Sequence, residues 1–239
     1  MNRKKDSEIL ARRALQVQRG AARASVLGVN DGLVSTLCLV LAVAGAGAST
    51  QSVLLAGFAG LVAGAVSMAA GEWISVTAQV DLFTGVIKDV KKLARTDREL
   101  LVEQMSTSLE TAGYSKGTAD TASEEIGQNN DYLTDAYTRQ VMGFNPDELG
   151  SPWLAAISSF VLFAVGALAP LAPWFFGGGA FAVWLSIVFT AVGSLVVGGY
   201  ISYSSGNGVM RGALRQLGIV ALASVVTYGI GYMFGIAVG

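Results

Sequence analysis

Long apolar stretches alternate with short polar ones along this chain, and one polar segment is much longer than the rest. Residues 24–48 hold a single charged side chain, Asp31, and residues 53–78 hold a single one, Glu72. From 149 to 239 there is no acid, and the only bases are Arg211 and Arg215. A bilayer needs about 20 mostly apolar residues per helical span. The pattern predicts five spans, at about 25–47, 54–78, 153–175, 180–203 and 213–236. It divides the chain into a basic leader (1–23), spans one and two (24–79), a polar segment (80–150) and spans three to five (151–239).

The polar segment also reads as helical. Val80, Phe83, Ile87, Val90 and Leu93 continue the period of span two, so that helix is expected to run on. Thr96-Asp97-Arg98-Glu99 has the form of a capping box opening a second helix, with Gly113 at its end. Ser115 or Thr118 starts a third helix, and Asn129-Asn130-Asp131 breaks it. A short fourth runs over about 131–142, and Asn145-Pro146 stops it. The predicted class is an all-α integral membrane protein, with five transmembrane helices and a small cytosolic helical domain between spans two and three.

Composition narrows the chemistry. Only 14% of the 239 residues are charged, against about 25% in ordinary soluble domains. Histidine is absent and Cys38 is the one cysteine. No Ser-His-Asp triad, HExxH zinc site or cysteine zinc cluster can therefore be built, and an enzyme is not expected. The formal net charge of −1 offers no field for nucleic acid.

The bases fix an expected orientation. Arg3, Lys4, Lys5, Arg12, Arg13, Arg19 and Arg23 precede span one; Lys88, Lys91, Lys92, Arg95, Arg98, Lys116 and Arg139 lie in the polar segment; Arg211 and Arg215 lie between spans four and five. These are all 16 Lys and Arg residues, and the other hydrophilic ends carry none. The positive-inside rule puts the N-terminus and the polar segment in the cytosol and the C-terminus outside. An odd number of spans requires the same. The first 23 residues lack the apolar core of a signal peptide and read as a basic amphipathic helix on the anionic leaflet. The compact chain suggests a bacterial cytoplasmic membrane, or a vacuole-like membrane in a eukaryote.

Two acids inside spans need an explanation, because a carboxylate at mid-bilayer depth costs about 2.5–3.5 kcal/mol on insertion scales. It persists by facing a polar cavity, binding a cation or holding a proton. Burial favours the protonated form and a bound cation the ionised one, so a single group can exchange protons for metal. The alternative is a neutral Asp31 hydrogen-bonded to another helix, and a Glu72 that reaches interfacial water. Met68 lies four residues before Glu72 and shares its helix face. Its thioether suits Fe²⁺-like or softer ions better than Mg²⁺ or Ca²⁺. Taken alone, a methionine there is more often packing. Asp31, Met68 and Glu72 together make an oxygen-plus-sulfur set for a divalent transition metal. In the polar segment, Glu99, Glu103 and Glu110 share a helix face and Asp131 and Asp135 form an i, i+4 pair. These five are a second candidate metal cluster, or simply a solvated acidic face. Gly28-x-x-x-Gly32, Gly60-x-x-x-Gly64 and Gly231-x-x-x-Gly235 allow close helix approach, within one chain or between two.

At these residues the sequence resembles a known family. LGVNDGLVSTLCLVLAVAG (27–45) and GFAGLVAGAVSMAAGEWISVTAQVD (57–81) look like the signature stretches of the vacuolar iron transporter family, and the likeness continues through 151–174. The resemblance implies a five-span homodimer that exports Fe²⁺, and often Mn²⁺, from the cytosol in exchange for protons. The dimer interface would form the pathway, with the span-one aspartate at Asp31, the span-two methionine at Met68 and the motif glutamate at Glu72. Metal is then substrate, and no permanently bound cofactor is expected. Iron-transporting relatives carry a cytosolic three-helix metal-binding domain. Here Lys88-Asp89-Val90-Lys91-Lys92 stands where they tend to have glutamates, and 136–141 lacks their methionine pair. Two other readings stay open: a membrane-anchored metal sensor or buffer that transports nothing, and a family member with another substrate.

Overall fold

The computed structural model describes residues 20–204 and 208–238, so the predicted leader helix falls outside the described residues up to position 19. The described residues are helical, with no strand among them: α1 (Gly20–Gly45), α2 (Thr50–Thr96), α3 (Arg98–Thr111), α4 (Lys116–Gly127), α5 (Asn130–Gln140), α6 (Pro152–Leu171), α7 (Gly179–Ser204) and α8 (Val209–Val238). Short 3₁₀ turns at Pro146–Glu148 and Ala172–Phe175 flank α6. Two compact units divide the chain, one of residues up to Trp73 and from Pro152 on, the other Ile74–Ser151.

Among the described residues five helices are long and apolar enough to cross a membrane: Leu27–Gly45, the Thr50–Thr96 helix, Pro152–Phe175, Gly179–Tyr203 and Val209–Gly235. Only 17–39% of each span's most apolar window is buried inside the chain. The remainder is apolar surface far beyond what a soluble monomer exposes, and a bilayer is the solvent that matches it. As the continued period predicts, α2 does not stop at the end of span two but runs unbroken for 47 residues.

Helix α1 packs most extensively against α6 and α8, and α7 against α8. Backbone contact is what makes this possible. A methyl group on Gly32 would lie 2.2 Å from the Phe163 carbonyl oxygen, and one on Gly166 2.2 Å from that of Val29. Only hydrogen fits at either place, so α1 and α6 cross with their main chains touching. Gly231 meets the backbone of Ala42 in the same way, Gly235 that of Ala46, Gly60 the Leu39 side chain and Gly64 the Phe163 ring. Each of the three glycine patterns is therefore used for packing inside one chain. The core between the spans includes Val40, Val53, Leu61, Ala65, Phe163 and Leu171.

The second unit is organised by its caps. The Asp97 carboxylate, not the Thr96 hydroxyl, accepts the Leu100 N–H at the start of α3. Thr96 belongs to the last turn of α2, and its hydroxyl donates to the Lys92 carbonyl. The expected box is thus shifted by one residue, because α2 continues through Thr96 and leaves the stronger acceptor to cap. Gly113 takes a positive φ of 103°, which lets Tyr114 N–H close back on the Leu109 carbonyl and ends α3. Ser115, rather than Thr118, caps α4, and Asn129 caps α5. Val90, Ala94, Leu101, Met105, Leu133 and Tyr137 form the core. The Tyr137 hydroxyl donates to Gln104 Oε1, and burial pushes the phenol above its ordinary value.

Candidate functional site

Asp31 lies in the membrane-spanning part of α1, and its side chain is exposed on the single chain. Leu27 and Ser35, one turn to either side, are exposed as well. Residues four apart share a helix face, so the three form a strip left uncovered by the other helices of the unit. The Ser35 hydroxyl donates to the Asp31 main-chain carbonyl at 2.5 Å, which leaves the Asp31 carboxylate itself free of that partner.

Met68 sits on α2, half-buried, against the core that contains Phe163 and Ala65. Its sulfur reaches α1: a methyl group on Gly28 would lie 3.6 Å from Met68 Sδ. Gly28 precedes Asp31 by three residues, about one helical turn. The thioether of α2 thus lies against α1 one turn before Asp31, where a glycine leaves room for it. Glu72 follows one turn after Met68 and is half-buried. Beside it, the Trp73 ring meets Trp153 with centroids 5.8 Å apart. Among the described residues no three His, Cys, Asp or Glu side chains come together around a point that could hold a metal ion. The candidate donors of one chain are thus the Met68 thioether beside Gly28, Asp31 exposed one turn further along α1, and Glu72 one turn after Met68 on α2.

Asn30, next to Asp31, was not singled out by sequence reasoning. Its Oδ1 is buried with no hydrogen-bond partner among the described residues. The signal was available in the sequence as a second polar residue beside the acid of an otherwise apolar span.

The five acids of the second unit are not drawn into one cluster. Glu99, Glu103, Glu110, Asp131 and Asp135 are all exposed. Asp135 is engaged elsewhere, with Arg139 Nε 2.9 Å from its carboxylate and Arg139 Nη2 2.7 Å from Asp147. Donating to the Asp147 carboxylate, and then to that of Asp135, holds the guanidinium above its ordinary value. Asp131 stands in the first turn of α5, where a negative charge favours the helix end. Lys88, Lys91, Lys92 and Arg95 are exposed on α2, with Asp89 exposed among them.

The family model described as the VIT family matches residues 22–232. The chain is 35% identical to vacuolar iron transporter homolog 1 of Oryza sativa subsp. japonica over 218 residues, covering 89% of this chain and 73% of the relative. It is 30% identical to vacuolar iron transporter homolog 2 of Arabidopsis thaliana over 215 residues, 90% and 84% of the two chains. It is 27% identical to a vacuolar iron transporter of Acanthamoeba castellanii over 223 residues, 90% and 78%.

Proposed function

The chain belongs to the VIT family, and from that premise we propose that it is a secondary transporter moving Fe²⁺ or Mn²⁺ out of the cytosol in exchange for protons. The observation that carries this reading is the placement of Asp31 on an uncovered strip of a membrane span, with the Met68 sulfur one turn away against Gly28.

A carboxylate on a lipid-facing strip is unstable as a charge. It is stabilised when a second copy of the chain covers the strip, because two Asp31 and two Met68 then face one water-accessible seam. A homodimer also supplies the donors that one chain lacks. With no histidine, the metal is held by carboxylate, thioether and hydroxyl or main-chain oxygen, a set that accepts both Fe²⁺ and Mn²⁺. Glu72, a turn beyond Met68, receives the ion from the cytosolic side. At Asp31 the cation replaces the proton, since each stabilises the carboxylate in the membrane and like charges exclude one another. Release of metal to the far side lets a proton rebind, and that alternation couples the two flows.

All 16 bases fall on the side that the positive-inside rule assigns to the cytosol, which supports a cytosolic N-terminus and polar segment. The Ile74–Ser151 unit is then cytosolic. Its exposed Lys88, Lys91, Lys92 and Arg95, and the ion-paired Asp135, support transport through the spans without metal loading by this unit. The direct test is a flux assay on the purified chain in liposomes with Fe²⁺, Mn²⁺, Co²⁺ and Zn²⁺, with and without a pH gradient. Fe²⁺ or Mn²⁺ flux that is accelerated by an opposing proton gradient is expected. Metal flux indifferent to the gradient overturns the exchange, and no metal flux overturns transport.

A further inference from the structure

Helices α7 and α8 close tightly at one end of the spans and part at the other. A methyl group on Gly198 would lie 2.7 Å from the Gly212 carbonyl oxygen, and one on Gly212 2.6 Å from that of Gly198. No room is left between the two main chains there. About three turns away, a groove of about 660 Å³ opens between Ile187 of α7 and Ala221, Val225 and Gly229 of α8, with Ala44 of α1 and Trp174 completing its walls. A methyl group on Gly229 would meet nothing within 4 Å. Ala48 and Gly179, in the turn after α1 and at the start of α7, also line it. They place one end of the groove at the membrane surface away from Arg211 and Arg215. From Gly179 to Ile187 it follows about 12 Å of helix, most of half a hydrocarbon core of about 30 Å.

The walls ask for an apolar occupant. No charged side chain lines the groove among the described residues. Its two buried polar side chains are already bonded within the chain. Trp174 Nε1 donates to Ser186 Oγ at 2.9 Å, and Ser224 Oγ donates to the Val220 carbonyl at 2.8 Å. The Tyr228 phenol, the third polar group, belongs to an exposed residue. Water held inside a protein needs about 2–4 polar partners, and the buried walls offer no free side-chain donor. An empty trough would forfeit the van der Waals contacts of its lining. A second copy that covers the Asp31 strip leaves the groove open. Ala44 follows Ser35 by about two and a half helical turns, so it stands on the opposite face of α1.

We propose that this groove is a lipid site, holding one acyl chain of a phospholipid from the leaflet at the Gly45–Thr50 end of the spans. The bilayer presents such tails along the open side of the groove. The tail supplies the packing that α7 and α8 lack where they part, and the headgroup stays at the level of Ala48 and Gly179. The volume falls within the about 300–1,000 Å³ of pockets that enclose small organic ligands. Small side chains at Ala44, Ala221 and Gly229 make the space, and Ile187 and Val225 give it apolar sides. The site is separate from Asp31 and takes no part in the exchange of metal and proton.

Trp174 is the reporter, because it lines the groove and is only 3% exposed. The full chain with Trp73→Phe/Trp153→Phe/Trp184→Phe keeps it alone of the four tryptophans. This chain is placed in phosphatidylcholine liposomes whose acyl chains are brominated at mid-chain, since bromine quenches indole emission at short range. Trp174 is expected to lose most of its emission relative to unbrominated liposomes. Gly229→Leu puts a side chain into the open space and is expected to restore the emission. Ala221→Leu serves as the filler if that variant fails to fold. A chain that keeps Trp184 alone, 67% exposed, should be quenched with and without the filler. Quenching of Trp174 that survives the fillers comes from lipid outside the groove and overturns the site. An unquenched Trp174 in the unfilled chain overturns it as well. Quenching by aqueous acrylamide would then show a water-filled groove, and protection from both quenchers a groove covered by protein, such as a second copy.

Discussion

The sulfur of Met68 lies against Gly28, close enough that a methyl group there would touch it at 3.6 Å. This one contact joins span two to the turn of span one that presents Asp31. A methyl at that distance is ordinary van der Waals contact, so Gly28→Ala is expected to keep metal flux. Gly28→Leu drives a branched side chain into the thioether and is expected to lose it. Met68→Leu preserves the packing but removes the soft donor. It should raise the metal concentration for half-maximal flux without lowering the thermal midpoint. A liposome flux titration beside a melting curve in detergent checks both statements.

The crossing of α1 and α6 rests on Gly32 and Gly166, where any side chain would collide with main-chain atoms. Main chain cannot rotate out of the way, so Gly32→Val must force the helices apart. Overpacking costs about 1–3 kcal/mol even where side chains can yield. The variant is expected to melt well below the parent and to lose monodispersity on size exclusion. An unchanged midpoint would show that α1 and α6 do not meet at Gly32.

Ser35 sits on the same uncovered strip as Asp31 and reports on what covers it. In a Cys38→Ser background, Ser35→Cys is expected to cross-link two chains when an oxidant is added to the liposomes. A cysteine at Thr36, which is buried inside the chain, should not cross-link. Equal behaviour of the two, read on a non-reducing gel, would remove the strip from the dimer interface.

Much of this arrangement could be read from the sequence. The five spans follow from the length of apolar runs; four keep their bounds within a few residues in the structure, while the second helix runs on to Thr96. The family could be recognised in 27–45 and 57–81, because those stretches place an acid and a thioether in otherwise apolar helices. The partners of the glycines could not be read, since a small-xxx-small pattern states that something comes close without stating what. The start of α3 was displaced by one residue because Thr96 and Asp97 both make good caps, and continuation of α2 through Thr96 decides between them. Asp135, a candidate metal ligand or part of a solvated acidic face, pairs with Arg139 in the structure, a partner that its i, i+4 spacing already allowed. The groove between α7 and α8 gave no signal, because alanine and glycine are ordinary in membrane spans and only the structure shows where the helices part.

The second unit makes a prediction with pH. Burial holds the Tyr137 phenol above its ordinary value of 10.0. The unfolded chain then ionises first, so the contribution of Tyr137 is complete below pH 10 and is lost as pH rises through the folded value. Melting of the full chain between pH 9 and 11 should show this unit weakening at the alkaline end. Tyr137→Phe removes that slope, and it costs about 1 kcal/mol at neutral pH through the lost bond to Gln104. An alkaline slope that survives in Tyr137→Phe contradicts the assignment.

The central claim is that Asp31 binds the metal and the proton in turn. Asp31→Ala removes both, while the dimer and the packing of α1, which uses other faces, should stay intact. The decisive measurement is Fe²⁺ flux into liposomes containing this variant, with its dimeric state checked by size exclusion. The account predicts a folded dimer with no metal flux and no metal-driven proton movement. Fe²⁺ flux in the variant equal to that of the parent chain would contradict it.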